Sequence, residues 1–342
     1  MNCSFEVTIG IPVFRSIEYI MDTMTSALNQ TFSDIEFLVV DDCGNDGSIN
    51  LIKYLQNNHP RGKYIRILVN DSNHGVGYSR NRIIDNAKGR FLYFMDSDDL
   101  IESDTIQKLY DALISSNAQI AYGSYDIIDK MNNTTHKYKK ESLYLCGDDE
   151  LSIYAFKNVQ IFHVSVCNHL IDLFYLRNTG VRFMNVFFWE DMAYTTELVT
   201  KVTRAVLLSE ITYHYIVHNH SLSHYHDRCL IAKDEIISNL SVLEFLKGMC
   251  NDLINKPYLP YLCYNIEMSC FHSISYILNN YQKIVPSFSS VEIRNILRHP
   301  LSFKQILRFN HRRSINILLY VLGRLPLMLF LPVIRLIKLL KT

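Results

Sequence analysis

No acidic residue follows Glu292, no CxxC pair occurs among the eight cysteines, and Trp189 is the only tryptophan in 342 residues. Cys3, Cys43, Cys146, Cys167, Cys229, Cys250, Cys263 and Cys270 lack the dense spacing of a disulfide scaffold and the paired spacing of a zinc site, so they read as free thiols of a reducing cytosol. The opening MNCSFEVTIG has neither a charged n-region nor an apolar core, which argues against a secretory signal. The most apolar segment, Ile315 to Leu340, is interrupted by Arg324, Pro326 and Pro332. A spanning helix wants about 20 unbroken apolar residues, so this segment is disfavoured as one. No GxGxxG opens the first predicted helix, which excludes the fingerprint of a dinucleotide-dependent dehydrogenase.

What is present is a globular composition. With 48% hydrophobic residues, the chain can bury a full core in one large or two modest domains. Its formal charge is zero but unevenly laid out: 34 acidic residues face 24 basic ones up to Glu292, and ten lysines and arginines follow, ending at Arg335, Lys338 and Lys341. An acidic body with a basic, apolar tail suits an anionic membrane surface and not nucleic acid. An interfacial helix pair among headgroups fits the tail, the other reading being a terminal helix packed on the protein's own core.

Up to about residue 125, short apolar runs alternate with helical patterns, the sequence form of a βαβ-layered domain around a mostly parallel sheet. Phe5 to Val13, Ile35 to Val40, Ile65 to Val69, Phe91 to Met95 and Gln119 to Tyr125 read as strands. Ser16 reads as the N-cap of a helix running to about Asn29, and Ser48 to Asn57, Val76 to Ala87 and Ser103 to Ser116 read as further helices. Met131 to Lys140 reads as a loop or hairpin over the site, Leu143 to Ser223 as mixed structure, and Arg228 to Ser290 as mostly helical.

Ligands of open α/β sheets bind beyond the carboxyl ends of the strands. Three polar clusters lie at such ends: Pro12-Val13-Phe14, Asp41-Asp42, and Asp96-Ser97-Asp98-Asp99. Carboxylates gathered in one crevice repel and desolvate at high cost, so they call for a cation. Asp-x-Asp after a buried strand suits Mg²⁺ or Mn²⁺, which take oxygen ligands and commonly combine one or two carboxylates with substrate phosphates. Helix capping by Asp98 or Asp99 is the bland alternative. Far downstream, NVFFWEDMAYTTEL sets Glu190-Asp191 at the head of a helical pattern, either as a proton acceptor or as charges on a helix N-terminus.

Taken in order, IPVF, VVDDCGNDGS, NHGVGYSRN, FMDSDD and FFWED resemble the family 2 glycosyltransferases over residues 5 to 225. The resemblance implies an α/β GT-A nucleotide-diphospho-sugar transferase fold, a Rossmann-like, mostly parallel sheet followed by a mainly helical C-terminal region. The implied divisions are a GT-A domain over 1–225 (nucleotide-binding half to about 125, acceptor half over 126–225), a helical extension over 226–300 and a membrane-associating tail over 301–342. By the same resemblance Pro12 and Phe14 line the nucleoside pocket, Asp42 contacts the base of a uridine-type nucleotide, and Arg80 sits beside base and phosphates. Asp96 falls near the ribose with Ser97 beside it in the donor site, Asp98 on the metal and Asp99 in support. Asp191 becomes the base and Glu190 orients or binds the acceptor; Trp189 offers a platform for a sugar ring, and His169, in CNHL, replaces an acceptor-side lysine. Family members carry Tyr-Arg and then Ser-x-Ser on a loop over the diphosphate. Here Tyr215-Ile216 and Ser221-Leu222-Ser223 stand instead, leaving His218 or His220 to contact phosphate or act as a third metal ligand.

The implied activity is inverting, Mn²⁺- or Mg²⁺-dependent hexosyl transfer from a nucleotide-diphosphate donor, a UDP-sugar, to a saccharide or lipid-linked saccharide. Its place is surface-polysaccharide assembly, with the enzyme peripheral on the inner face of the cell membrane. A nucleotidyltransferase would need a glycine-rich basic loop after the first strand, which IPVFRS lacks. A catalytically inactive, nucleotide-sugar-binding scaffold of a glycan-assembly complex is the non-enzymatic alternative. Asp42 and Asp46 could equally form a turn, Arg80 could pair with Asp85 on a helix surface, and the histidines from His214 to His226 could hold zinc or be ordinary loop residues.

Overall fold

The computed structural model describes residues 3–129, 134–159, 162, 165–218, 229–326, 328–330 and 332–334. The chain falls into two units: residues 1–151, 158–185 and 190–224 form the first, and 152–157, 186–189 and 225–342 the second.

The first unit alternates strands and helices: β1 (Phe5–Val13), α1 (Ile20–Leu28), β2 (Ile35–Asp41), α2 (Ser48–Asn58), β3 (Ile65–Val69), α3 (Val76–Asn86), β4 (Gly89–Phe94), β5 (Leu100–Ile101) and α4 (Thr105–Ser115). It continues with β6 (Ile120–Asp129), β7 (Thr134–Tyr138), β8 (Leu143–Cys146), the start of α5 (Glu150–Lys157), β9 (His169–Asp172), α6 (Leu173–Thr179), α7 (Glu190–Val199) and β10 (Arg204–Val217). One sheet runs β3-β2-β1-β4-β9-β6-β10-β5, with β7 on β6 and β8 on β10. β1 to β4 pair in parallel, β9 enters antiparallel between β4 and β6, and β10 runs parallel to β6. In β1 not only Val7, Ile9, Ile11 and Val13 but also the intervening Thr8, Gly10 and Pro12 are buried, as a strand covered on both faces requires. A Cβ on Gly10 would stand 2.3 Å from the Ile83 side chain, so glycine lets α3 lie close against the sheet.

The helix expected to follow Ser16 begins instead at Ile20, three residues on, behind a turn of 17–19 in which the Tyr19 amide donates to the Ser16 carbonyl at 2.9 Å. Of the expected loop or hairpin at 131–140, residues 131–133 lie outside the described residues, and Thr134–Tyr138 pair antiparallel with β6.

The second unit holds the rest of α5, β11 (Ile231–Ala232), α8 (Lys233–Asp252), α9 (Leu259–Asn279), β12 (Ile284–Val285), α10 (Ser290–Ile296), α11 (Phe303–Ile306) and α12 (Arg313–Leu322). Leu262, Ile266, Cys270, Ile274 and Ile277 of α9 form its buried stripe, and Val242, Leu243, Leu246 and Cys250 of α8 another. One face of α12 packs on the second unit's own core. Asn316, Leu319 and Leu322 are buried, with the Asn316 amide donating to the Pro260 carbonyl at 3.2 Å, while Leu318 and Val321 stay 50% and 46% exposed. Among the described residues no helix is long and apolar enough to cross a membrane; Arg335, Lys338 and Lys341 lie outside them.

Candidate active site

β1, β2 and β4 end at the same side of the sheet, and the site is built from the residues that follow them. After β1, Pro12 is buried, Phe14 is 40% exposed, and the Arg15 guanidinium lies 5.1 Å over the Phe14 ring. The Ser16 hydroxyl meets that of Ser97 at 2.5 Å, tying the end of β1 to the end of β4.

After β2, Asp42 is buried and its carboxylate accepts from the Asn70 amide at 2.5 Å and from the backbone N–H groups of His74 and Gly75 at 2.9 and 2.8 Å. The carboxylate that the resemblance puts on the base is therefore engaged in shaping the loop that leads into α3. Two glycines finish that entry. Gly75 has φ of +88°, and a Cβ on Gly77 would stand 2.6 Å from the Met184 carbonyl.

So seated, α3 carries Arg80 inward. Its Nη1 donates to Glu190 Oε1 at 2.7 Å and its Nη2 to Asp96 Oδ1 at 2.8 Å, with the Arg80 side chain only 6% exposed. Arg80 is thus not a surface residue paired with Asp85, which has Arg182 at 3.4 Å instead. Nor do its terminal nitrogens face an empty phosphate site, because both are taken by the protein's own carboxylates. Burial opposes the Arg80 charge, but Asp96 and Glu190 outweigh it and hold the guanidinium still more firmly protonated.

Past Asp96 the three remaining members of the cluster part company. Asp99 is 1% exposed and accepts from the Tyr213 hydroxyl at 2.6 Å and from the Ile216 amide at 2.9 Å, which makes it an anchor between the loop and β10. Ser97 is held by Ser16, and its carbonyl accepts from Thr23 Oγ1 at 3.1 Å. Asp98 has no ion-pair partner among the described residues; burial, and next the charge of Asp96, push its carboxyl up to about 7. The His218 ring stacks on Tyr19 at 3.7 Å, and its Nε2 reaches the Asp98 backbone carbonyl at 3.2 Å, not the carboxylate.

A half-buried carboxylate with no ion-pair partner among the described residues, beside a second carboxylate, fits a hard divalent cation. Among the described residues no three His, Cys, Asp or Glu side chains converge to enclose one. Such a cation would therefore be held by Asp98 and completed by substrate phosphates and water, as Mg²⁺ commonly is. At the head of α7, Glu190 is buried under Arg80, whereas Asp191 accepts the 2.7 Å bond from the Met192 amide and has no ion-pair partner among the described residues. Burial, and then the Glu190 charge, push the Asp191 carboxyl up to about 7.

The profile of Glycosyl transferase family 2 matches residues 8–179, about half of the chain. The chain belongs to this family. It is 26% identical over 218 residues to the putative teichuronic acid biosynthesis glycosyltransferase TuaG of Bacillus subtilis, covering 64% of this chain and 81% of TuaG. Among solved structures it is similar to residues 1–349 of S. aureus TarS in complex with UDP-GlcNAc, at TM-score 0.69 and 17% identity, over 93% of this chain and 90% of that one. It is also similar to the mannosyltransferase PcManGT of Pyrobaculum calidifontis in complex with GDP-Man and Mn²⁺, at TM-score 0.53 and 14% identity, over 84% and 78% of the two chains. The α/β GT-A fold with a helical C-terminal region follows from these matches.

In this family 2 glycosyltransferase the remaining expected site residues separate. His169 is 2% exposed, its ring nitrogens have no hydrogen-bond partner among the described residues, and burial together with the Lys140 charge lowers its pKa to about 3. Its side chain packs by Tyr122 within the sheet, so the acceptor contact expected of it is corrected to a core position. Trp189 belongs to the second unit, with φ of +70°. His220, Ser221 and Ser223 lie outside the described residues. His214 is engaged by Asp126 at 2.7 Å and Glu102 at 3.1 Å, so it is occupied in a carboxylate network. Sequence reasoning missed Tyr213, whose hydroxyl accepts from the Asp96 amide at 3.3 Å while donating to Asp99. The only signal for it was the tyrosine alternation of YHY within a strand.

Proposed function

We propose that this glycosyltransferase moves a hexosyl group from a UDP-sugar to the hydroxyl of a saccharide or lipid-linked saccharide, with inversion, in surface-polysaccharide assembly. The observation that carries the reading is the division of labour around Arg80: it pairs with Asp96 and Glu190, while Asp98 and Asp191 have no ion-pair partner among the described residues and are pushed up to about 7. Asp98 would hold Mn²⁺ or Mg²⁺. Bound there, the cation would supply positive charge to the departing diphosphate. Asp191 takes the acceptor hydroxyl's proton as that oxygen bonds to the anomeric carbon and the bond to the nucleoside diphosphate breaks on the opposite face. A carboxyl near 7 is poised for this at neutral pH. Phe14, Pro12 and the loop ordered by Asp42 would frame the nucleoside. TuaG, named for teichuronic acid biosynthesis, and TarS, solved with UDP-GlcNAc, support the pathway class and the uridine donor.

Binding and turnover of a panel of nucleotide sugars with Mn²⁺ or Mg²⁺ test this in wild type, Asp98→Ala and Asp191→Asn. The reading requires metal-dependent binding that Asp98→Ala weakens, and binding without turnover in Asp191→Asn. Nucleotide-sugar binding without turnover in wild type would leave the inactive scaffold, and absence of any nucleotide-sugar binding would sink both readings.

The C-terminal surface completes the proposal by resting on an anionic membrane at the cytoplasmic face. Phe303, Leu307, Leu318, Val321, Met328 and Leu329 are 42–87% exposed, and Lys304, Arg308 and Arg312 are exposed with them. Each basic residue near such a surface is worth about 1 kcal/mol. Co-sedimentation of the full chain with phosphatidylglycerol but not phosphatidylcholine vesicles, lost on Arg308→Glu with Leu318→Asp, is the expected result; equal binding to both vesicles would sink this part.

A further inference from the structure

In the first unit β4 and β6 both run antiparallel to β9, so they run parallel to each other, two places apart in the sheet. Tyr93, Leu170 and Ala121 share one register level across the three strands. Asp96 and Ser124 each lie three residues beyond that level, toward the strand ends that carry the site. Two strand spacings, about 10 Å, separate them. Lys140 is tied to this point, its amide donating to Ser124 Oγ and its Nζ to the Gly123 carbonyl, both at 2.8 Å. The ammonium also lies 5.3 Å over the Tyr125 ring, which stacks on Tyr138 at 5.0 Å. Tyr125 is in turn the register partner of Tyr213, whose hydroxyl donates to Asp99. A row of Tyr213, Tyr125 and Tyr138 thus crosses β10, β6 and β7 outward from the carboxylate cluster, with Lys140 set over its middle. Lys140 is 7% exposed; among the described residues no carboxylate pairs with it, and the Gly123 carbonyl is its one hydrogen-bond acceptor. Burial, with no acidic side chain offsetting it, lowers its pKa to about 8. An ammonium desolvated in this way is costly, and an aromatic ring offsets only part of that cost.

We infer that Lys140 receives a negative charge carried by the acceptor, a carboxylate or phosphate on a sugar ring, with Tyr125 and Tyr138 beside that ring. The inference rests on the transferase reading above and adds the acceptor's chemical class. The logic that gives Asp98 a cation gives Lys140 an anion: a charge buried without a counter-charge is matched when the ligand brings one. The donor's diphosphate belongs with the cation on Asp98, whose ligands sit within about 2.6 Å, whereas Lys140 stands two strands further across the sheet. An aromatic pair beside an ammonium suits an acidic sugar. C–H groups of the sugar lie against the aromatic rings while the carboxylate or phosphate oxygens accept from Nζ.

The full chain, saturated with UDP and Mn²⁺, is titrated with methyl glucoside, methyl glucuronide, glucose 6-phosphate and inorganic phosphate, with binding read by saturation-transfer NMR. The expected result is that methyl glucuronide or glucose 6-phosphate binds about tenfold or more tighter than methyl glucoside and inorganic phosphate. Whichever of the two binds identifies the charged group. Lys140→Met removes the charge, and Lys140→Gln removes it while keeping a donor; each should abolish the preference, and Lys140→Arg should keep part of it. UDP affinity, measured by calorimetry, should stay within about twofold in all three. The inference is overturned by equal binding of the acidic and neutral sugars in wild type, by a preference unchanged in a charge-free variant of wild-type circular dichroism, or by failure of both charge-free variants to fold. Inorganic phosphate binding as tightly as the sugars would mean an adventitious ion only and also overturns it, as does anion binding seen only without UDP, which gives Lys140 to the donor. UDP bound with no acidic-sugar preference refutes the subsite and leaves the transferase reading standing, whereas absence of UDP binding refutes the transferase reading and this inference with it.

Discussion

Replacing Arg80 by methionine keeps most of the side-chain volume and removes the charge that joins Asp96 to Glu190. Two carboxylates at 2.8 and 2.7 Å from the guanidinium then lose their partner in a part of the molecule where Arg80 and Glu190 are 6% and 10% exposed. At an effective dielectric near 20, a pair at about 4 Å contributes ~4 kcal/mol, or roughly 8 kcal/mol gross for both. Relief from desolvating the guanidinium offsets part of this, and removing one partner of a buried pair costs about 3–5 kcal/mol net. For a unit of this size each kcal/mol moves the midpoint by about 2–4 °C, so Arg80→Met should melt roughly 6–20 °C lower by calorimetry. Arg80→Lys keeps a charge but reaches only one carboxylate with a good bond, and should fall between. Raising NaCl to about 1 M should change the difference little, since screening acts weakly on buried pairs. A midpoint for Arg80→Met within about 2 °C of wild type would refute the clamp as a structural element.

Asp191→Asn should lower acceptor-dependent turnover by about 10²–10⁴ while UDP affinity stays within about twofold. Because the Asp191 carboxyl is raised to about 7, it is protonated and idle at lower pH; wild-type turnover should climb through pH 7, and that limb should vanish in the variant. His299 is buried neutral, its Nδ1 accepting from the Leu301 amide and its Nε2 facing Asn316 Oδ1, and burial lowers its pKa to about 4. The unfolded chain then binds the extra proton first, so stability is present above 6.5 and lost as pH falls toward 4, by about 3 kcal/mol in total. His299→Gln should flatten the melting curve between those limits, and parallel curves would refute the assignment. Gly77→Ala must push the Met184 carbonyl aside, at about 1–3 kcal/mol, and should reduce turnover as well by tilting α3 and Arg80; unchanged stability and turnover would contradict the close packing described.

The sequence alone determined what local chemistry can write. Strand-length runs such as Ile35 to Val40, apolar but for Glu36, are buried on both faces only in a covered parallel sheet, so layers and strand ends were legible. Since ligands gather at those ends, Asp42, Asp96, Asp98 and the Glu190-Asp191 pair could be named from order and spacing. What each does was not legible, because hydrogen-bond partners are set by residues far apart in the chain. What sets Asp96 and Glu190 apart from Asp98 and Asp191 is an ion pair with Arg80, across 16 and 110 residues. Asp42 and Asp99 became anchors because a loop amide or a strand tyrosine reached them first. His169 looked like an acceptor residue until β9 entered between β4 and β6 and turned its ring into the core. Spacing fixes which groups can meet at a strand end. Only tertiary packing decides which carboxylate is neutralised by a protein cation, and which is left with its charge for a metal or a proton.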